Sequence, residues 1–216
     1  IFIFIFGAVA SGGAVVASQY VGRRDQENGV GAASQLVLLT ALISLVSMAG
    51  AVFFRTQLLG LLFGRVEADV MDACVTYLVI SALSFPALAV YNSVSALFRS
   101  MNKTRSIMNV SIAMNCINVA GNAIGIFVLH AGVAGVAVPS LISRTFAAVV
   151  MLTLAFRQDQ TLYLRFRQVF AWDGKMVKRI LNIALPSSVE NGLFQLSKVA
   201  LSSIVALFGT VEIAAN

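Results

Sequence analysis

Six side chains in this sequence could do chemistry in places that do not favour it: Asn118, Asn122, Arg144, Glu190, Gln195 and Lys198. All lie in long apolar runs, where a bare amide or charge is costly. Glu190 and Lys198 share the segment Ala184–Gly209, ALPSSVENGLFQLSKVALSSIVALFG. Eight residues of helix set them about 12 Å apart along the axis and about 80° apart around it. An intrahelical ion pair needs a spacing of three or four, so each must find its own partner or water. Lys198 is long enough to snorkel outward. Glu190 is shorter, and loss of water favours its neutral form. Such a carboxyl could exchange a proton or Na⁺ for a cationic substrate. The structural alternative is a Glu hydrogen-bonded to Asn191, Gln195 or a neighbouring helix.

Asn118 and Asn122 are four apart, so they project from one helical face. That face should look into protein or a wet cavity. Interhelical hydrogen bonding, worth about 0.6 kcal/mol per contact, is one reading; a polar site is the other. Arg144 sits at the middle of the run Val133–Phe156. A central Arg costs about 2.5–3.5 kcal/mol on insertion scales, so it should face protein and have an acceptor. Backbone carbonyls freed by Pro139, or a carboxylate from another helix, are the candidates.

The elements that must position these groups follow from composition. The chain is 59% hydrophobic and 11% charged, with a mean hydropathy of +0.90. A soluble domain carries roughly a quarter charged residues, so here the surface itself must be apolar. That describes an all-α, polytopic membrane protein. Six runs are long enough to span: Ile1–Val21, Val30–Phe54, Val75–Leu97, Ile107–Leu129, Val133–Phe156 and Ile180–Phe208. The stretch between Gln57 and Val70 is too short and too charged, and suits an interfacial helix. The alternation expected of a membrane barrel is absent beyond the first six residues.

Basic residues orient the bundle. Arg23 and Arg24, then Arg99, Lys103 and Arg105, then Arg157, Arg165, Arg167, Lys175, Lys178 and Arg179 fall in alternate loops, eleven of the fifteen Lys and Arg. The opposite loops hold Arg55 and Arg65. The positive-inside rule makes the rich side cytoplasmic, so the net charge of +6 argues topology, not nucleic-acid binding. The first helix would then run inward from outside, with no initiator Met or charged leader before it. The expectation is an internal piece of a longer chain. Residues 1–156 would form five helices of one lobe, 157–179 a basic cytoplasmic connector whose Arg165, Phe166, Arg167 and Trp172 suit anionic headgroups, and 180–216 the first helix of a second lobe.

Short motifs add a resemblance. Ala17-Ser-Gln19-Tyr-Val-Gly22-Arg-Arg-Asp25 resembles the A-x-Q-x-x-G-x-x-D ending of the second helix in the multidrug and toxic compound extrusion (MATE) family. Ala96-Leu-Phe-Arg99-Ser-Met-Asn-Lys-Thr104 is similar to that family's cytoplasmic turn A-x-x-R-G-x-G-D-T, with Ser100 and Asn102 at its two glycines and Lys103 at its acidic residue. Asn115-x-x-Asn118-x-x-x-Asn122 resembles the fifth helix, Gly132-Val-Ala-Gly-Val-Ala the start of the sixth, and Ala184-Leu-Pro186 with Glu190, Phe208-Gly209-Thr210 and Ala214-Ala215 the seventh. The resemblance implies twelve helices in two six-helix lobes, of which this chain supplies helices two to seven. It implies a multi-pass protein of the plasma membrane, the bacterial inner membrane, that exports organic cations against a Na⁺ or H⁺ gradient. Its partners would be the bilayer, small organic cations and the remainder of the same chain; no cofactor beyond the coupling ion is expected. Some members have Asn-x-x-x-Asp in the fifth helix, helping to hold the coupling cation. Here the second position is Asn122, which shifts attention to the seventh helix, where some members place a coupling carboxylate.

Other features have plainer uses. Pro86, Pro139 and Pro186 fall inside predicted spans, as static kinks or as hinges for alternating access. Gly121-x-x-x-Gly125 and the small residues Gly7, Ser11 and Gly12 suit close helix packing. Cys74 and Cys116 suit structural roles, His130 an external helix end, and the Met and Phe side chains lipid, core or an adaptable cavity. No catalytic constellation or phosphate loop is present, so an enzyme is not expected. The rival is a flippase for lipid-linked oligosaccharides, which should line its cavity with several cations; the spans offer Arg144 and Lys198. A purely structural membrane protein would leave the charges in the spans unexplained.

Single cysteines at Gln26, Asn102 and Gln160 should react with an impermeant maleimide only from the cytoplasm. Those at Thr56 and Gly132 should react only from outside. The opposite labelling pattern would invert the topology.

Overall fold

The computed structural model describes residues 2–63, 68–130, 132–157, 161–169 and 171–208. The helices in chain order are α1 (Phe2–Gly22), α2 (Gln26–Phe53), α3 (Arg55–Phe63), α4 (Ala68–Leu83), α5 (Phe85–Ser100), α6 (Thr104–Ala123), α7 (Ala134–Ala155), α8 (Phe166–Val169) and α9 (Gly174–Phe208). One π-helical turn, Ile124–Val128, extends α6. Among the described residues, Ile5–Gly22, Gln26–Phe53, Thr104–Val128 and Ala134–Ala155 are helices long and apolar enough to cross a membrane.

The span expected as Val75–Leu97 is not one straight helix. α4 and α5 meet at Ser84 with a bend of 42° and together make a broken span. The cause is Pro86 in the first turn of α5. A proline has no N–H to give and its ring crowds the preceding turn, but it is tolerated where a helix begins. Pro139 and Pro186 lie inside α7 and α9, which continue through them. The sixth expected span lies in α9. This 35-residue helix starts at Gly174 because the Asp173 carboxylate accepts from the backbone N–H groups of Lys175 (3.0 Å) and Met176 (3.2 Å). α3 supplies the short helix expected after Gln57, residues 64–67, with Arg65, fall outside the described residues, and the stretch ends in the first turn of α4.

α1 is central, packing against α2, α5 and α9, while α7 packs against α4, α5 and α6. Small residues make this possible. A Cβ on Gly12 would come within 2.8 Å of the Ala184 Cα on α9, and one on Gly13 would strike Leu36 on α2. Gly12 therefore has the packing role expected of it, but Gly7 faces open space and Ser11 is exposed, its hydroxyl donating to the Gly7 carbonyl. Between α6 and α7, Gly121 abuts the Pro139 ring and Gly125 lies directly against the Gly135 carbonyl. That carbonyl is the one Pro139 cannot bond four residues on, so the missing side chain of Gly125 lets α6 close over it.

The three basic loops converge at one end. Gln26 Nε2 donates to the Thr161 carbonyl (3.3 Å), and the Leu162 N–H points at Met101 Sδ (3.2 Å). The tight turn there uses Asn102 at φ +59°, a left-handed conformation that glycine, or failing it asparagine, adopts most easily. The connector also packs against the helices. Leu162 and Leu164 are buried with the helices in one core, and the Leu164 N–H bonds the Ala155 carbonyl at 2.8 Å.

Gly125→Ala should force α6 and α7 apart and lower stability by about 1–3 kcal/mol, read as a drop in thermal midpoint in detergent. Gly7→Ala should leave the midpoint unchanged. Equal effects would show that the α6–α7 contact is not a tight one.

Candidate functional site

Of the two candidate asparagines on α6, Asn118 turns toward α7. Asn118 Nδ2 donates to the hydroxyls of Ser140 (2.9 Å) and Ser143 (3.4 Å), and Asn122 Nδ2 donates to Asn118 Oδ1 (3.2 Å). Both serine hydroxyls can accept because each spends its own proton on its helix, Ser140 on the Val136 carbonyl and Ser143 on the Ser140 carbonyl. Asn118 thus bonds across to α7, while Asn122 bonds within α6. The chain of bonds stops at Asn122 Oδ1, a buried acceptor with no hydrogen-bond partner. It sits two residues before the π-helical turn, a distortion that often accompanies functional sites. A neutral amide oxygen there can accept from water or lie against a cation, but it brings no charge of its own.

Arg144 finds an acceptor of a different kind from those expected. Its Nη1 donates to Ser84 Oγ at 2.6 Å. The partner is neither a Pro139-freed carbonyl nor a carboxylate. Ser84 is fully buried at the α4–α5 break and donates in turn to the Ser81 carbonyl (2.6 Å). The break explains the pairing. Ser84 occupies the N-cap position of α5 without its side chain capping that helix, so its lone pairs are left for the guanidinium.

Glu190, Lys198 and Gln195 lie elsewhere, on α9. Up to Ala184 this helix is part of the core, with Ile180 at 0% and Ala184 at 1% exposed. Arg179 helps to hold it, donating to the Tyr20 hydroxyl (2.8 Å) with its guanidinium 5.0 Å from that ring. Beyond Ala184 the described side chains emerge: Leu185, Pro186, Val189, Glu190, Leu193, Phe194, Ser197 and Lys198 are exposed. Lys198 Nζ lies 4.8 Å from the Phe194 ring centroid, one turn back. The side chain of Gln195, and the end of the seventh-helix motif at Gly209, Thr210, Ala214 and Ala215, fall outside the described residues. The six candidates thus form separate groups: an amide–hydroxyl cluster between α6 and α7, Arg144 at the break, and a line of groups on the open side of α9.

One polar anchor was not singled out from the sequence. Gln35, 3% exposed in α2, donates through Nε2 to the carbonyls of Gln168 (3.0 Å) and Ala171, and accepts through Oε1 from the Asp173 N–H (3.2 Å). The cost that marks Asn118 marks an amide in the run Val30–Phe54 equally, so the signal was present. Ser84, Ser140 and Ser143 are less legible, because serines in apolar helices are common and bond their own backbone.

The comparisons with known proteins agree with this architecture. The model of the MatE family matches residues 1–124, more than half of the chain. Over 211 residues the chain is 31% identical to YisQ of Bacillus subtilis (strain 168), an uncharacterized transporter, covering 96% of this chain and 46% of that one. It is 27% identical over 115 residues to Protein DETOXIFICATION 43 of Arabidopsis thaliana, covering 53% of this chain and 22% of that protein. The fold is that of a MATE transporter solved in the bent conformation, with a TM-score of 0.86 at 18% identity over 99% of this chain and 47% of that one. A MOP superfamily transporter from Pyrococcus furiosus, described as having a binding pocket of reverse polarity, matches at 0.85 and 18% over 99% and 47%. The chain belongs to the MatE family of multi-pass membrane transporters. It spans less than half the length of the curated relatives it matches.

Ser84→Ala should strand the Arg144 guanidinium and lower stability by about 1–3 kcal/mol, seen in thermal unfolding. Adding Arg144→Leu should restore most of the loss, since removing both partners leaves nothing unpaired. No recovery in the double variant would mean that the contact carries little of the effect.

Proposed function

We propose that this chain is part of a Na⁺- or H⁺-coupled antiporter that exports organic cations across the plasma membrane, with Glu190 as the coupling carboxylate. One observation carries the reading. Of the nine acidic residues, Glu190 alone falls within a predicted membrane span. It sits on the exposed side of α9, beyond the point where the helix leaves the lobe core. A carboxyl in a span is costly unless it is used or paired, and a negative group open to a cavity can hold either the coupling ion or a cationic substrate.

Family membership and the bacterial relative YisQ support transport and a bacterial inner-membrane setting. The amide cluster supports placing the charge on α9. In it, Asn118, Asn122, Ser140 and Ser143 offer oxygens but no carboxylate. Asn122 occupies the position where some members of the family carry Asp. In this proposal the cluster orients α6 against α7, and the exchange of ion for substrate takes place at Glu190. The missing wall of the site would come from the remainder of the transporter chain, with Lys198 and Gln195 flanking it.

A second reading keeps the fold and changes the cargo. Arg144 and Lys198 are the cations in the spans, and a flippase for lipid-linked oligosaccharides would need such groups for a pyrophosphate. Arg144 is tied to Ser84, which favours the antiporter.

Energised cells making the full-length transporter should lose ethidium-type cations faster than cells without it. Collapsing the Na⁺ and H⁺ gradients separately would identify the ion. Glu190→Gln should bind substrate yet abolish gradient-driven efflux. Normal pumping with normal ion dependence in that variant would make Glu190 structural. Absent cation efflux, together with rescue of a cell-surface polysaccharide defect, would favour the flippase.

A further inference from the structure

At the basic end, the last turn of α1, the α5–α6 turn and the start of the connector border a half-open cavity of about 360 Å³. Its lining combines Ser18, Ser100, Asn102 and Thr161 with Val21, Met101 and Leu162. Polar groups facing an apolar wall at the end of a membrane helix suit a molecule that is itself polar at one end.

One donor in this wall is poorly served. The Leu162 N–H belongs to a buried residue, and the bond it makes is to Met101 Sδ. A thioether is a weak acceptor, and buried backbone N–H groups ordinarily find an oxygen. Asn102 brings an amide to the same cavity from a turn held at φ +59°, and Thr161 brings a hydroxyl. Most charges beside the lining residues in sequence have the complementary sign, Asp159 two residues before Thr161 being an exception. Arg23 and Arg24 follow Gly22, Arg99 precedes Ser100, and Lys103 and Arg105 follow Asn102. Another acid, Asp25, is turned onto Asn28, accepting from its backbone N–H (3.3 Å) and its Nδ2 (2.7 Å).

Neutral donors in the lining, basic residues next to them in sequence and an apolar wall point to an oxyanion with a greasy neighbour. We propose that this cavity binds a phosphate ester, as the headgroup of an anionic phospholipid or as a soluble phosphate. A phosphate oxygen would take the Leu162 N–H from the sulfur and accept from Asn102 and Thr161. The basic residues would supply the long-range attraction, as in basic pockets at the cytoplasmic ends of other membrane proteins. The site is independent of Glu190 and of what the protein transports.

The test is native mass spectrometry of the full-length protein in detergent with added phosphatidylglycerol, phosphatidylcholine or glycerol 3-phosphate. The wild type should retain phosphatidylglycerol at least about tenfold better than phosphatidylcholine, which is roughly 1.4 kcal/mol. Asn102→Gly keeps the left-handed turn while deleting the amide, and Thr161→Val deletes the hydroxyl at constant size. Each should weaken retention several-fold without moving the thermal midpoint. Displacement of the lipid by millimolar glycerol 3-phosphate would assign the site to a soluble ester, and resistance to it would assign the lipid. Equal retention of both lipids with no binding of glycerol 3-phosphate would overturn the proposal. So would phosphatidylglycerol or glycerol 3-phosphate binding that neither variant reduces.

Discussion

Hydrocarbon offers no hydrogen bonds, so polar groups carried into the membrane must be met by another part of the chain. The lobe is organised around that requirement. Thr40 Oγ1 on α2 reaches Ser93 Oγ on α5 at 3.0 Å, Asn118 on α6 reaches Ser140 on α7, and Arg144 on α7 reaches Ser84 at the α4–α5 break. Such contacts average only about 0.6 kcal/mol each, too little to hold the helices together by themselves. Their value is in register. A helix that slides by one turn loses its partner and leaves an orphaned donor in a dry interior. Close packing supplies more of the stability, through glycines that let backbones meet at Gly12–Ala184 and Gly125–Gly135.

The same requirement explains why α9 has two characters. From Gly174 to Ala184 it is a core helix, capped by Asp173, tied by Arg179 to Tyr20 and packed on α1. Past Pro186 most of its described side chains face outward, Glu190 and Lys198 among them. A helix anchored at one end and open at the other carries Glu190 to the edge of the lobe, where a second wall could enclose it. The amides between α6 and α7 differ from it in bringing no charge of their own, and Asn118 is engaged with the serines of α7.

Gln35 links these two levels. One buried amide holds the connector at Gln168, Ala171 and Asp173, and Asp173 starts α9. The connector is thus a docked part of the lobe, and the origin of α9 is set by a residue in α2. Basic residues on this segment stay outside while Leu162 and Leu164 go in.

The class of the protein was decided by its sequence alone. Too few charges cover too many apolar residues, the apolar runs have the length of a bilayer, and the basic loops alternate; none of these depends on how the helices touch. The ordered motifs carried the family in the same way, and Asn102 could be matched to a glycine position because one residue's backbone preference is a local property. Partners were another matter. Arg144 was expected to need an acceptor, and desolvation made that certain. Which acceptor it found depended on a bend at Pro86 that brought Ser84 within reach from sixty residues away. Gly7 and Gly12 look alike in sequence, yet only Gly12 meets another backbone. The cost of burying a group is written in the residue itself, whereas the group that offsets it is chosen by how distant segments pack, and that was settled only in the tertiary structure.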